Sequence, residues 1–235
     1  MPEILASTMN AKSVARRKFP ALFVLLLAYL VVYPYAQNTG LPYLAFRIFG
    51  TSVTVLSIYA ISFERKYVTM ALILAIPALM QRILLPRADA GVLSLGSIIL
   101  GLAFDLLIIT VIFQRVFMKD EPTRDAIFGA LCVYLLIGFG FTSIYGVIAT
   151  LQPHAFYLDP ALNVHNTPDR FDLIYYSFTT LTCIGAAGIA PVSMQARSTS
   201  VIEALLGVLY LAVLISRLLT AYHSRNVKLV SNSDR

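Results

Sequence analysis

The sequence predicts an all-α membrane protein with six transmembrane helices. Between the last two lies a short helix that enters the bilayer and turns back. Three observations carry this prediction. The chain of 235 residues is 58% hydrophobic and 13% charged, whereas a soluble domain holds about 45–50% apolar and about 25% charged residues. Its apolar residues gather in long runs, and its 18 lysines and arginines sit in short clusters between them. One further apolar run is too short to cross. This composition excludes an ordinary cytoplasmic enzyme and large disordered regions. The net charge of +6 does not indicate nucleic acid, because the basic residues form no single face of a soluble fold.

A hydrocarbon core of roughly 30 Å needs about 20 mostly apolar residues per helix. Such runs fall at 19–36, 43–62, 67–85, 92–117, 126–150 and 198–222. Arg16-Arg17-Lys18 ahead of the first run resembles the start of a signal peptide. Its end, Pro34-Tyr35-Ala36, has bulky residues where a cleavage site wants small ones, so an uncleaved anchor is expected. The run at 170–182, bracketed by Pro168 and Gly185, reaches only about 20 Å at ~1.5 Å per residue. It must turn back, and irregular backbone at that depth survives only in protein or against water.

Basic residues set the orientation. Lys12, Arg16, Arg17, Lys18, Arg65, Lys66, Arg115, Lys119, Arg124, Arg217, Arg225, Lys228 and Arg235 fall on one side. Only Arg47, Arg82, Arg87, Arg170 and Arg197 fall on the other or at its flanks. Both termini are therefore expected in the cytoplasm. The expected layout is a basic N-terminus at 1–18, a four-helix scaffold at 19–117, a second membrane unit at 126–222 and a short tail at 223–235. The basic N-terminal stretch also suits anionic lipid.

Chemical motifs are few. Cys132 and Cys183 give no disulfide framework or metal spacing, and His154, His165 and His223 lie far apart. No HExxH, GxSxG or Walker glycine loop is present. No enzyme, cofactor or resident metal is expected. The informative stretch runs from Phe128 to Tyr222. Thr167-Pro168-Asp169 reads as a helix start, with a capping hydroxyl, proline at the first helical position and an acid near the positive end. The helix continues through Tyr175, Tyr176 and Phe178 to Thr179-Thr180-Leu181-Thr182. Its C-terminal end, with unsatisfied carbonyls, would point toward mid-membrane and favour a cation.

The sequence YYSFTTLTCIGAAGIAPVSMQARSTSVIEALLGVLYLAVLISRLLTAY resembles the pore region of bacterial potassium channels in which four helices precede the pore. There the turn reads TTVGYGD followed by a short apolar-x-Pro. The resemblance covers about 50 residues here, and Pro191, Arg197 and Gly207 fall in register with it. It implies a homotetramer in the bacterial inner membrane, passing potassium or sodium ions without a cofactor. It further implies an ion-selectivity filter at Thr182, Cys183, Ile184, Gly185, Ala186, Ala187 and Gly188, and a hinge at Gly207. In such filters, backbone carbonyls replace the water shell of the ion, and glycines occupy the positive-φ positions.

The match breaks at sensitive places. Cys183 stands for the inner threonine, Ile184 for valine, Ala186 for tyrosine, Ala187 for the second glycine and Gly188 for aspartate. A left-handed alanine costs roughly 1–2 kcal/mol, or roughly 4–8 kcal/mol over four subunits by the same principle. The other geometry open to Gly185-Ala-Ala-Gly188 has Gly188 act as the second glycine, one residue late. Either way the outer ion sites differ, and weakened potassium selectivity is expected. A non-conducting structural or regulatory membrane subunit is the alternative.

Stepping by three and four from Val208 puts Leu211, Ile215 and Leu219 on one face, which the register with Gly207 assigns to the pore lining. An apolar cavity mouth of this kind permits closure by dewetting. Glu203 lies off that face. It is expected to brace the turn through Thr179, Thr180 or Tyr176, with an acidic ring facing the ion path as the alternative. Asp105 sits near the centre of the fourth span, level with Thr54 and Ser57. Packing through hydrogen bonds or a proton or cation site are its two readings. Arg47 is expected to snorkel to the outer surface. The fourth span has no arginine between Val92 and Gln114, which excludes arginine-based voltage sensing.

Overall fold

A computed structural model describes residues 18–36, 41–62, 65–84, 91–117, 124–163 and 166–233. Helix α1 covers Lys18–Val32 and passes into a 3-10 turn, Tyr33–Ala36. Pro34 accounts for that change, since it has no N–H to continue the helical ladder. Then follow α2 (Leu41–Ala60), α3 (Arg65–Leu84), α4 (Gly91–Phe117), α5 (Arg124–Leu151), β1 (Phe156–Leu158), α6 (Arg170–Leu181), β2 (Ile189–Pro191) and α7 (Met194–Ser233). Among the described residues the chain is all-α apart from a two-stranded ribbon.

Among the described residues three helices are long and apolar enough to cross a membrane: Leu95–Phe117, Asp125–Leu151 and Met194–Arg217. They coincide with the expected spans at 92–117, 126–150 and 198–222. The other three expected spans are also helices, of which Lys18–Val32 and Gly50–Ala60 form shorter apolar stretches. Helix α7 runs to Ser233, beyond the expected end at 222. The segment expected as a short tail is therefore mostly helical. Without proline or glycine between Gly207 and Ser233, the sequence has no strong breaker there. Lys12, Arg16 and Arg17 lie outside the described residues, and the snorkelling expected of Arg47 lies outside the described side chains.

Helix α5 is the hub. It packs against α1, α4, α6 and α7. Its buried Ala130, Cys132, Val133, Leu135 and Leu136 meet Phe19, Leu22 and Leu26 of α1 and Phe104, Ile108 and Ile112 of α4. Residues 19, 22, 26 and 29 repeat at helical spacing, so α1 buries one stripe and leaves Val24 and Val31 exposed. A second core lies toward the outer loop, where Tyr145, Phe156 and Tyr176 stack edge to face at 5.0–5.7 Å. The ribbon pairs Phe156 with Pro191, Tyr157 with Ala190 and Leu158 with Ile189, antiparallel. It joins the loop before α6 to the arm that leaves the turn after it.

Candidate functional site

Helix α6 starts at its own acids. The Asp172 N–H donates to the Asp169 carboxylate at 2.8 Å, and the Asp169 N–H donates to that of Asp172 at 2.9 Å. This reciprocal box satisfies two free amides, whereas Thr167 offers one hydroxyl. The cap is therefore Asp169 rather than Thr167, and the helix begins two residues later than expected.

Its far end closes on itself. Thr182 is the C-cap, and Cys183 adopts a left-handed φ of +58°. The Ile184 N–H donates to the Thr179 carbonyl at 2.9 Å and the Cys183 N–H to that of Thr180 at 3.0 Å. These two bonds make a Schellman ending, in which glycine usually takes the place of Cys183. The Gly185 N–H also reaches Thr179, at 3.1 Å, and the Thr182 N–H reaches Phe178 at 3.1 Å. The Tyr134 hydroxyl donates to the Leu181 carbonyl at 3.3 Å. The carbonyls expected to be unsatisfied at this end are thus occupied by the chain itself.

Of the two geometries open to the turn, the structure adopts the later one. Gly185 and Gly188 have φ of +85° and +79°, and neither Ala186 nor Ala187 is left-handed. The alanine strain counted above does not arise. The turn is braced by residues that its own sequence does not advertise. The Ala187 N–H donates to the hydroxyl of Tyr175, on α6, at 3.1 Å. Asn163 Nδ2 donates to the Gly188 carbonyl at 2.7 Å, and the Asp159 N–H donates to the same oxygen at 2.9 Å. Ala186 is half-buried against the outer aromatic core. Thr182, Cys183, Ile184, Gly185 and Ala187 are exposed in the single chain.

Behind the turn lies a buried polar network. Glu203 is fully buried. Tyr145 Oη donates to its Oε2 at 2.5 Å, and Ser177 Oγ lies 2.5 Å from its Oε1. These partners replace Thr179, Thr180 and Tyr176 as the groups expected beside it, because a side chain at 203 faces the middle of α6 and the adjoining turn of α5. The Thr179 hydroxyl instead donates back to Tyr175 on its own helix at 2.7 Å. Tyr176 joins indirectly, its hydroxyl 2.5 Å from Ser200 Oγ. Arg197 Nε donates to the Pro191 carbonyl at 3.2 Å, tying α7 to the ribbon.

Helix α7 meets the rest of the chain along a narrow stripe of Glu203, Gly207, Tyr210 and Leu214. Gly207 sits where a Cβ would collide with the Leu181 carbonyl oxygen and come within 3.2 Å of Leu181 Cδ1. Only glycine lets the end of α6 approach this closely. The helix is continuous through it. The remaining faces are open: Val208, Leu211, Ile215 and Leu219 are 55%, 39%, 56% and 65% exposed, although all are apolar.

Away from the turn, Asp105, Thr54 and Ser57 line one cavity. The hydrogen bonds expected among them do not form among the described residues, and the Thr54 hydroxyl donates to Gly50 on its own helix at 3.2 Å.

A short helix, a glycine turn and a long apolar helix, all mounted on α5 beside a further helix of membrane-spanning length, α4, mark an integral membrane protein. Residues 132–223 match the family model described as "Ion channel". That stretch is similar to the pore domain of ion channels. No curated protein and no solved structure matches the chain significantly.

The residues missed in the sequence are Tyr175, Asn163, Ser177, Tyr145 and Ser200. Only Ser177 carried a signal: a small hydroxyl on the buried face of an aromatic-rich helix, where a polar atom needs a partner.

Proposed function

We propose that the chain is the pore-forming subunit of a homotetrameric, potassium-channel-like cation channel with weakened potassium selectivity. It resides in a bacterial inner membrane with both termini in the cytoplasm. The observation that carries this reading is the seating of the turn. The glycine turn at Thr182–Gly188 hangs from the C-terminal end of α6, whose last residue, Leu181, lies directly against Gly207 of the long apolar helix. One turn per chain cannot encircle an ion, and four chains about an axis can. The exposed apolar faces of α7 support assembly, since helices in membranes find such partners through close packing. Val208, Leu211, Ile215 and Leu219 would line the cavity below the turn, and Gly207 would be the point where the helix bends.

Weakened selectivity is supported by the form of the turn. Its first amides fold back onto Thr179, and no tyrosine at 186 packs behind it. The permeant ions would be potassium and sodium, handled by backbone carbonyls without a cofactor.

The test is the reversal potential of the purified, reconstituted protein under bi-ionic potassium and sodium. The expected result is robust current with a shift well below about 59 mV, the value for a tenfold preference by a single charge. A larger shift toward the potassium value overturns weakened selectivity. A stable monomer or dimer in mild detergent and lipid overturns the tetramer.

A further inference from the structure

Helices α1 to α5 and the start of α6 enclose a cavity of about 850 Å³ that belongs to neither the turn nor the faces of α7. Its floor is Ser57 of α2 and Asp105 of α4, and its mouth is the outer loop around His154 and Asn166, with Arg170 at the start of α6. Small-molecule sites occupy about 300–1,000 Å³, mostly apolar, with a few convergent polar groups. This cavity falls in that size range, and hydroxyl and amide side chains such as Thr142, Ser143 and Gln152 share its lining with apolar ones. Its apolar lining is aromatic and aliphatic, with Phe104 and Phe139 in it.

The acidic and basic groups that line the cavity are of opposite sign. Asp105 lies within a span and receives no hydrogen bond among the described residues. Among the described residues, Arg170 is the one lysine or arginine that lines the same cavity. Charged groups at membrane depth are costly, and those that persist face water-filled cavities and mark functional sites. Arg170, Asp105 and Tyr29 border the same cavity. Asp169 also borders the cavity, but its carboxylate caps α6. The mouth and the floor therefore offer a guanidinium and a carboxylate to the same small space.

A plain cation would meet the repulsion of Arg170, and a plain anion that of Asp105. A molecule carrying both charges satisfies both. We propose that this cavity is a binding site, open to the outer face, for a small zwitterion of the amino-acid class with a large apolar side chain. Its ammonium group sits toward Asp105, its carboxylate pairs with Arg170, and its side chain packs against the apolar wall. Guanidinium is suited to the carboxylate because it can present two parallel N–H donors. Because Arg170 is the first residue of α6, the ligand rests on the helix that ends at the turn.

The test needs no current and so stands apart from the channel reading. Binding to the full chain in lipid nanodiscs is measured calorimetrically with three probes: phenylalanine, phenethylamine and 3-phenylpropionate. The expected result is that phenylalanine binds at least tenfold more tightly than either analogue. Asp105→Asn should then abolish its advantage over the acid, and Arg170→Gln its advantage over the amine. Equal binding of phenylalanine and phenethylamine overturns the proposal in favour of an amine site. Absence of binding by phenylalanine, with leucine and tyrosine also silent, overturns it outright. The comparison of analogues uses the unaltered protein, so poor folding of either variant leaves the result decisive.

Discussion

Replacing Glu203 distinguishes two descriptions of the network behind the turn. Ser177 has one hydroxyl proton and two acceptors within reach, Glu203 Oε1 at 2.5 Å and the Gly138 carbonyl at 2.7 Å. One proton cannot serve both. The bonds close without conflict if Glu203 is the neutral acid: its O–H donates to Ser177, Ser177 donates to Gly138, and Tyr145 donates to the other carboxyl oxygen. Glutamine reproduces that pattern, its amide N–H donating to Ser177 and its oxygen accepting from Tyr145. Glu203→Gln should therefore change stability by less than about 1 kcal/mol, the net value of one ordinary hydrogen bond. Glu203→Ala leaves the Tyr145 hydroxyl with only Ser200 at 3.4 Å, a loss of about 1–3 kcal/mol. It also opens a cavity in a fully buried site, so the total is about 3–5 kcal/mol by comparison with large-to-small substitutions. An ionised Glu203 predicts otherwise. Its two charge-assisted bonds, each about 1.5–3 kcal/mol, would become neutral ones, and Gln would fall with Ala. The assay is unfolding by SDS in mild detergent followed by circular dichroism, with infrared detection of a protonated-carboxyl band that disappears in Glu203→Gln. Equal destabilisation by Gln and Ala, with no such band, refutes the neutral network.

Three further outcomes follow from the same geometry. Gly207→Ala should lower stability by about 1–3 kcal/mol through overpacking against Leu181, despite the helix-propensity gain of about 0.8–1.0 kcal/mol; a thermal midpoint equal to or above the parent's would contradict the close approach. Tyr175→Phe removes one hydrogen bond to Ala187, about 0.5–1.5 kcal/mol, and should speed hydrogen exchange at the Ala187 amide; unchanged protection would mean that the turn is held elsewhere. Cys183→Gly should raise stability by about 1 kcal/mol by relieving left-handed strain, and Cys183→Ala should not. A rise with alanine would point to the thiol rather than the backbone.

The helices were legible because their signal is composition. A run of apolar residues bounded by basic clusters has few other uses, and expected and observed helices share most of their residues. The turn was legible where it depends on backbone, at Gly185 and Gly188, since positive φ demands glycine; Gly207 was expected as a hinge, and its close approach to Leu181 was not. The partners of the turn were not legible. Tyr175 and Ala187 are 12 residues apart and meet only because the turn folds back over its own helix. Asn163 and Gly188 meet through a ribbon of three residues per strand, too short to show alternation. The start of α6 was misplaced for a local reason: Thr-Pro and Asp-x-x-Asp are both good starts, and the one satisfying two amides prevailed. The cavity around Asp105 needs five helices to exist, so no window of sequence reveals it.

These partners also decide whether the usual filter sequence can be restored here. Placing Tyr, Gly and Asp at 186, 187 and 188 would bring back the resembled pattern. Position 188, however, has a φ of +79°, and a Cβ there would lie 3.1 Å from both Asn163 Nδ2 and Leu162 Cβ. A left-handed aspartate costs roughly 1–2 kcal/mol, and displacing these neighbours adds about 1–3 kcal/mol. The triple variant Ala186→Tyr, Ala187→Gly, Gly188→Asp should therefore be less stable than the double variant that keeps Gly188, by roughly 2–5 kcal/mol per chain on those two terms. Thermal unfolding of both proteins in the same detergent decides the matter. If the triple variant is as stable as the double, the turn does not hold Gly188 against Asn163, and its second glycine position is free to move. If it is less stable, the departures at 186–188 belong together, and the outer arm of the turn is built around Asn163.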